Sequence, residues 1–152
     1  MSTDFSWVAD AMKQSVPWVS TAGVEFTEVS ATRVVCALTD VESQRNHVGG
    51  PHAAVMFGLA ETASGAVGLA AINHVMSKAT PLVVSSEIRY KKLALGDLTV
   101  EAVLTRPADE VVAELESGKR PEFQVDCTIS NGEGVTTAEM SVVWTLKPIK
   151  KA

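Results

Sequence analysis

Between Asn46 and Ser77 the chain carries one formally charged side chain besides its histidines, and that side chain is Glu61. Residues 53–75 contain no proline, so they read as a single helix about 34 Å long at about 1.5 Å per residue. Apolar or small residues surround almost its whole circumference, which marks a helix buried on all sides rather than one lying on a surface. Its length would suit a membrane, but its composition would not. Ala and Gly dominate over Leu and Ile, and Glu61, Thr62 and Ser64 sit near the centre, where a carboxylate in lipid costs a few kcal/mol. The segment therefore reads as a core helix with no membrane partner, and whatever surrounds it has to accommodate one carboxylate.

The remaining sequence supplies the surroundings. Residues 3–15 suggest a short amphipathic helix, with Phe5, Val8, Ala9 and Met12 on one side and Pro17 closing it. Residues 23–29 and 32–38 read as two short strands with a turn near Ser30. After Pro81 the pattern becomes strands rich in Val, Ile and Thr, over residues 83–93, 98–105, 122–130 and 135–146. Asn131-Gly132, with Gly134 beyond, is a hairpin signal between the last two. Residues 107–120 break the alternation and read as an exposed helix, with Pro107 and Asp109 at its start and Gly118 at its end. Strands gathered around one buried helix predict an α+β fold, an antiparallel sheet wrapped about that helix. One sheet covers only part of a helix that is apolar all round, so a second subunit is expected over the rest.

At 152 residues, 1–152 is expected to form one domain. A net charge of -5 argues against a nucleic-acid partner that needs a broadly basic face. Cys36 and Cys127 match no metal or redox spacing and read as buried free thiols in a reducing compartment. The N-terminus lacks a basic stretch followed by an apolar one, so the expected location is the cytoplasm.

Helical geometry places Ala54, Phe57, Gly58, Ser64, Gly65 and Gly68 on the face of Glu61, while Met56, Leu59, Ala63, Ala66, Val67 and Ala70 lie opposite. Glycine costs about 1 kcal/mol per helix position relative to alanine. Three glycines around one carboxylate therefore predict a close approach to the backbone by a helix, a strand or a ligand. The loop before the helix is the second feature. The first amides of a helix lack intrahelical acceptors and carry the positive end of its dipole. Amides near residues 52–55, framed by Gly49, Gly50 and Pro51, are placed to stabilise a developing oxyanion, and Asn46 and His52 add polar side chains.

Asn46, five residues, His52, eight residues, Glu61 resembles the signature of hotdog-fold acyl-CoA thioesterases. It is similar to the phenylacetic-acid-degradation type and to related DUF4442-like proteins. The stretch SSEIRYKKLALGDL, a strand ending in basic residues and Gly-Asp, resembles that family too. The resemblance implies a hotdog fold, an obligate dimer or dimer of dimers with sites at the interface, and hydrolysis of acyl-CoA or aryl-CoA thioesters without metal or cofactor. Carried over by position, it makes Glu61 the nucleophile or general base and the Ala53 amide the oxyanion donor. Asn46 then orients the carboxylate, the water or the thioester. Ala53 and Ala54 replace two glycines of the family loop, and Gly65 stands where some relatives carry a hydroxyl. An alanine still offers its amide; the missing hydroxyl leaves water placement open.

Ala53 and Glu61 are eight residues apart, about 12 Å along one helix. One thioester carbonyl cannot touch both, so a site using both takes Glu61 from the other subunit. Several candidates carry two readings each. His52 either contacts substrate or caps the helix, and Asn46 either orients reactants or organises its turn. Arg89, Lys91 and Lys92 either meet the phosphates of coenzyme A or keep an edge strand soluble. Phe57 and Met56 line either the acyl pocket or the core. Gly50, Ser64 and Gly65 complete the substrate-binding candidates. Two other functions fit the pattern. One is a non-catalytic dimer that binds acyl-CoA or lipid. The other is a hotdog dehydratase or hydratase using His47 and Glu61, although the Phe-Pro-Gly that normally follows that histidine is absent.

Overall fold

The computed structural model describes residues 4–150. Thr3, expected to open the first helix, and the two chain ends lie outside the described residues. The elements run α1 (Trp7–Ser15), α2 (Pro17–Ala22), β1 (Glu25–Val29), β2 (Arg33–Leu38), α3 (Ala53–Ile72), β3 (Ala79–Tyr90), β4 (Leu98–Leu104), α4 (Ala108–Glu116), β5 (Glu122–Asn131) and β6 (Thr136–Pro148). The strands form one sheet in the order β1-β2-β4-β5-β6-β3, with every neighbouring pair antiparallel.

Alternation decides which face of the sheet meets the helix. In β5, Phe123, Val125, Cys127 and Ile129 are buried while Glu122, Gln124, Asp126 and Thr128 are exposed. Leu98, Val100 and Ala102 of β4 follow the same rule, because successive side chains on a strand point to opposite faces. The inward rows close on α3, whose Leu59, Ala60, Ala63, Ala66 and Val67 are fully buried. An antiparallel sheet curled about one long helix is the α+β hotdog arrangement expected from the sequence. The 23-residue apolar segment Ala53–Val75 is thus the core helix, with most of its apolar side chains buried within the fold, and its last three residues tighten into a 3-10 turn.

Several boundaries differ from expectation. Residues 4–6 precede α1 rather than opening it, and β3 ends at Tyr90, short of residue 93. Pro17 does end α1, but it also starts α2. Val16 is extended, as a residue before proline prefers, and Pro17 takes the first helical position, where its missing N–H is no loss. β3 begins at Ala79, before Pro81. Proline is tolerated there because β3 is an edge strand, bonded on one side only, to β6. The Asn131-Gly132 turn forms as read: Asn131 Oδ1 accepts from the amides of Glu133 and Val135, and Gly134 adopts a φ of 79°.

The sheet does not cover all of α3. A stripe of half-exposed residues, Phe57, Gly58, Glu61, Gly65 and Leu69, runs down one side. Beside it the edge strand exposes Leu82, Val83 and Val84 at 41%, 41% and 49%. Part of the stripe is roofed by α1 and α2, which the sequence reading did not assign to it.

Candidate functional site

The loop before α3 is organised by Asn46. Its Oδ1 accepts from the amides of Val48 and Gly50 at 3.0 and 3.2 Å, and its backbone amide donates to Gly50 O at 2.7 Å. Gly50 has no room for a side chain: a Cβ there would lie 2.0 Å from the carbonyl oxygen of Ala94. The loop is therefore clamped between its own asparagine and the segment following β3.

His52 caps the helix. It is extended, its Nδ1 accepts from the Ala54 amide at 2.9 Å, and its carbonyl accepts from Val55 and Met56. With Nδ1 accepting, the neutral ring carries its proton on Nε2. Of the first four helical amides, only that of Ala53 then lacks an acceptor among the described residues. Ala53 lines a pocket of about 390 Å³ together with Asn46, Pro51, Met56, Tyr90, Lys91, Lys92, Leu93 and Ala94. The Tyr90 hydroxyl donates to Ala53 O at 3.0 Å, and burial raises the phenol's pKa, so it remains a donor at neutral pH.

Glu61 lies elsewhere in the same chain, eight residues along α3. It lines a mostly apolar cavity of about 260 Å³ with Met12, Val16, Gly65, Leu69, Met76, Phe123 and Trp144 among its neighbours. Its carboxylate accepts no hydrogen bond and joins no ion pair among the described residues. Loss of water raises its pKa above the ordinary 4.5. The two thiols are pushed up to about 12 by burial. They are inert at neutral pH as nucleophiles, since the thiolate is the reactive form.

The three helix glycines expected to mark a close approach do so, and the approaching groups are aromatic rings. A Cβ on Gly58 would sit 2.4 Å from the Trp18 indole, one on Gly65 3.3 Å from Trp144, and one on Gly68 3.4 Å from Phe123. Ser64 is buried: its Oγ donates to Glu61 O at 2.7 Å and accepts from Trp144 Nε1 at 2.9 Å. Phe57 is half-buried against the core.

The candidates thus fall into two groups. Asn46, Gly50, His52, Ala53, Lys91 and Lys92 gather at the start of α3; Glu61 and Gly65 line the apolar cavity, and Ser64 lies buried behind it against Trp144. Arg89 joins neither. It pairs with Glu87 at 2.8 Å on the outer face of the sheet, because it has the opposite parity to Tyr90 on β3. Lys91 pairs with Glu139 at 2.9 Å, and Lys92 has no ionic partner among the described residues. Sequence reasoning missed Tyr90, Trp144, Phe123 and Met12. Alternation along β3, β5 and β6 assigns the first three to the inner face; only the fold brings Met12 to Phe123 and Trp144.

The chain matches the DUF4442 family, a domain of unknown function, over residues 5–146, and belongs to that family. No match is found among curated proteins. Among solved structures it is similar to a protein of unknown function from Pseudomonas aeruginosa described as a probable thioesterase. The identity is 21% and the TM-score 0.84, over 98% of this chain and 99% of that one. A thioesterase family protein from Silicibacter pomeroyi is 14% identical with a TM-score of 0.78, over 96% and 100%. A hypothetical thioesterase protein from Streptococcus pneumoniae, solved with coenzyme A, is 20% identical with a TM-score of 0.70, over 92% and 99%. These likenesses establish the shared fold.

Proposed function

We propose that this DUF4442 protein hydrolyses acyl-CoA or aryl-CoA thioesters to the free acid and coenzyme A, at sites shared between the subunits of a homodimer or a dimer of dimers. The observation that carries the reading is Glu61: a carboxylate on a core helix, withdrawn from water, with no hydrogen-bond or ionic partner among the described residues, on the rim of an apolar cavity. Removing a charge from water needs compensation, and a group left so is poised for chemistry. The fold shared with thioesterases, one of them holding coenzyme A, supports the same reading.

Each half of the site lacks what the other has. At the helix start, the Ala53 N–H binds the thioester oxygen while Asn46 holds the loop and Lys92 lies ready for a phosphate of coenzyme A. The acid arrives from the opposite protomer, since about 12 Å of helix separates Ala53 from Glu61 within one chain. The half-exposed stripe on α3 and the apolar edge of β3 give that protomer a surface to cover. Glu61 either takes a proton from water as the water oxygen adds to the carbonyl carbon, or adds to that carbon itself. Collapse of the oxyanion then breaks the C–S bond; on the water route the thiolate takes the proton held by Glu61, and on the direct route water next hydrolyses the acyl–Glu61 anhydride, which frees the acid, restores the carboxylate and supplies the thiolate's proton. A preorganised oxyanion donor contributes about 3 kcal/mol, and a placed base about 10²- to 10⁴-fold. The buried, unpaired thiols suit a reducing, cytoplasmic setting.

The test is release of free thiol from a panel of short, medium, long and aryl CoA thioesters by wild type and Glu61→Gln. A fall of about 10² or more in a folded dimeric variant is expected. Equal inactivity of both proteins would remove hydrolysis and leave binding, or hydration of enoyl thioesters, to be measured next.

A further inference from the structure

The cavity beside Glu61 has one rigid wall and one soft one. Phe123 of β5 and Trp144 of β6 are direct cross-strand partners, and their rings rest on Gly68 and Gly65, three residues apart on α3. The indole is also tied by its N–H to Ser64 Oγ at 2.9 Å, and Ser64 is tied in turn to the Glu61 carbonyl. An aromatic pair fixed by strand register, two glycine seats and a hydrogen bond does not give way readily. Met12, Val16, Leu69 and Met76 oppose it, and methionines adapt to what they meet. The cavity holds about 260 Å³. A cavity of about 150 Å³ holds benzene, so this one has room for a single ring with a short linker, or an alkyl group of about eight carbons.

We propose that this cavity is the acyl subsite and that Trp144, pinned by Ser64, sets its limit, admitting acyl groups up to about eight carbons or one ring and excluding long chains. The inference rests on the thioester reading for the identity of the ligand, and on the wall itself for its size. Ser64 is then a positioning residue for the indole. Each methylene that enters an apolar site raises affinity about fourfold, so kcat/KM should climb along the acyl series until the chain meets the ring and then level or fall.

The experiment measures hydrolysis of CoA thioesters from butanoyl to hexadecanoyl by wild type, Trp144→Ala and Trp144→Phe. In parallel, calorimetry follows binding of the same series to Glu61→Gln, with and without Trp144→Ala. We expect a break near eight carbons in wild type and a break about two to four carbons later in Trp144→Ala, with a smaller displacement in Trp144→Phe. The phenylalanine variant keeps an aromatic ring on Gly65 should the alanine variant fail to fold. Hydrolysis with no break, or with a break that neither substitution moves, overturns the inference and leaves the thioesterase reading standing. Absence of hydrolysis with a break in binding that Trp144 controls overturns the thioesterase reading and keeps the inference. Absence of both hydrolysis and binding overturns both.

Discussion

In its proposed catalytic role, Glu61 is the residue on which stability and activity pull in opposite directions. Its folded pKa is raised above 4.5 by loss of water. Below that value the carboxyl is protonated in folded and unfolded chains alike. As pH rises, the unfolded chain loses its proton first, so the folded state is progressively penalised until the folded pKa is passed. Glu61→Gln should therefore match wild type in thermal stability near pH 4 and equal or exceed it at pH 7, which calorimetric melts at both values will show. The proposed role as base or nucleophile needs the ionised form, so kcat/KM should rise with pH along a limb displaced above the usual carboxylate range, and that limb should vanish in the variant. A melt that falls at neutral pH in Glu61→Gln would mean the carboxylate is held by a favourable contact instead. Ala53 permits an equally clean separation. It is the first residue of α3, and His52 before it is already extended, with φ -63° and ψ 142°. Proline is favoured at that position and removes only the N–H. Ala53→Pro should keep its melting temperature within a few degrees and lose about 10²- to 10³-fold in kcat.

At the scale of elements, much of the fold was legible because local and tertiary preferences agree. Strands β4, β5 and β6 alternate cleanly, α4 has proline before it and glycine after it, and the Asn131 turn carries its own hydrogen-bond acceptor. What was not legible depends on neighbours distant in sequence. The three glycines announced a close approach without naming Trp18, Trp144 or Phe123, since nothing within a helix says which ring will lie on it. Pro81 was read as a boundary because edge position is a property of the sheet, not of the segment. Asn46 and His52 each had two readings, and their hydrogen bonds now account for both as organisers of the helix entrance. Arg89, Lys91 and Lys92 group by adjacency in the sequence, but β3 ends at Tyr90: Arg89 stays on the outer face of the sheet, and the two lysines belong to the segment after it. The clamp at Gly50 is a further product of packing. Gly50→Ala would drive a methyl into the Ala94 carbonyl, and the backbone must shift; a loss of about 1–3 kcal/mol in denaturant unfolding is expected. The accompanying fall in kcat should exceed that of Gly49→Asn, since Gly49 has open space around it and a φ of 81°, a conformation asparagine tolerates.

For the whole molecule, the proposed use of both Ala53 and Glu61 at one thioester turns assembly into a catalytic requirement, because of the distance between them. Leu82→Lys on the exposed edge of β3 should hinder a second strand from pairing there. Sedimentation should then show a shift from dimer to monomer, with thiol release falling in parallel while circular dichroism stays that of the native fold. A sharper consequence comes from mixing two inactive proteins. In a heterodimer of Ala53→Pro with Glu61→Gln, one site receives both substitutions and the other receives neither. Unfolding and refolding the two together should yield roughly a quarter of wild-type turnover per chain, because about half the dimers are mixed and each restores one site of two. If both groups acted within one chain, every site in the mixture would carry one substitution and no activity would return. The recovered fraction therefore reads directly whether the carboxylate crosses the interface, independently of which thioester is used to measure it.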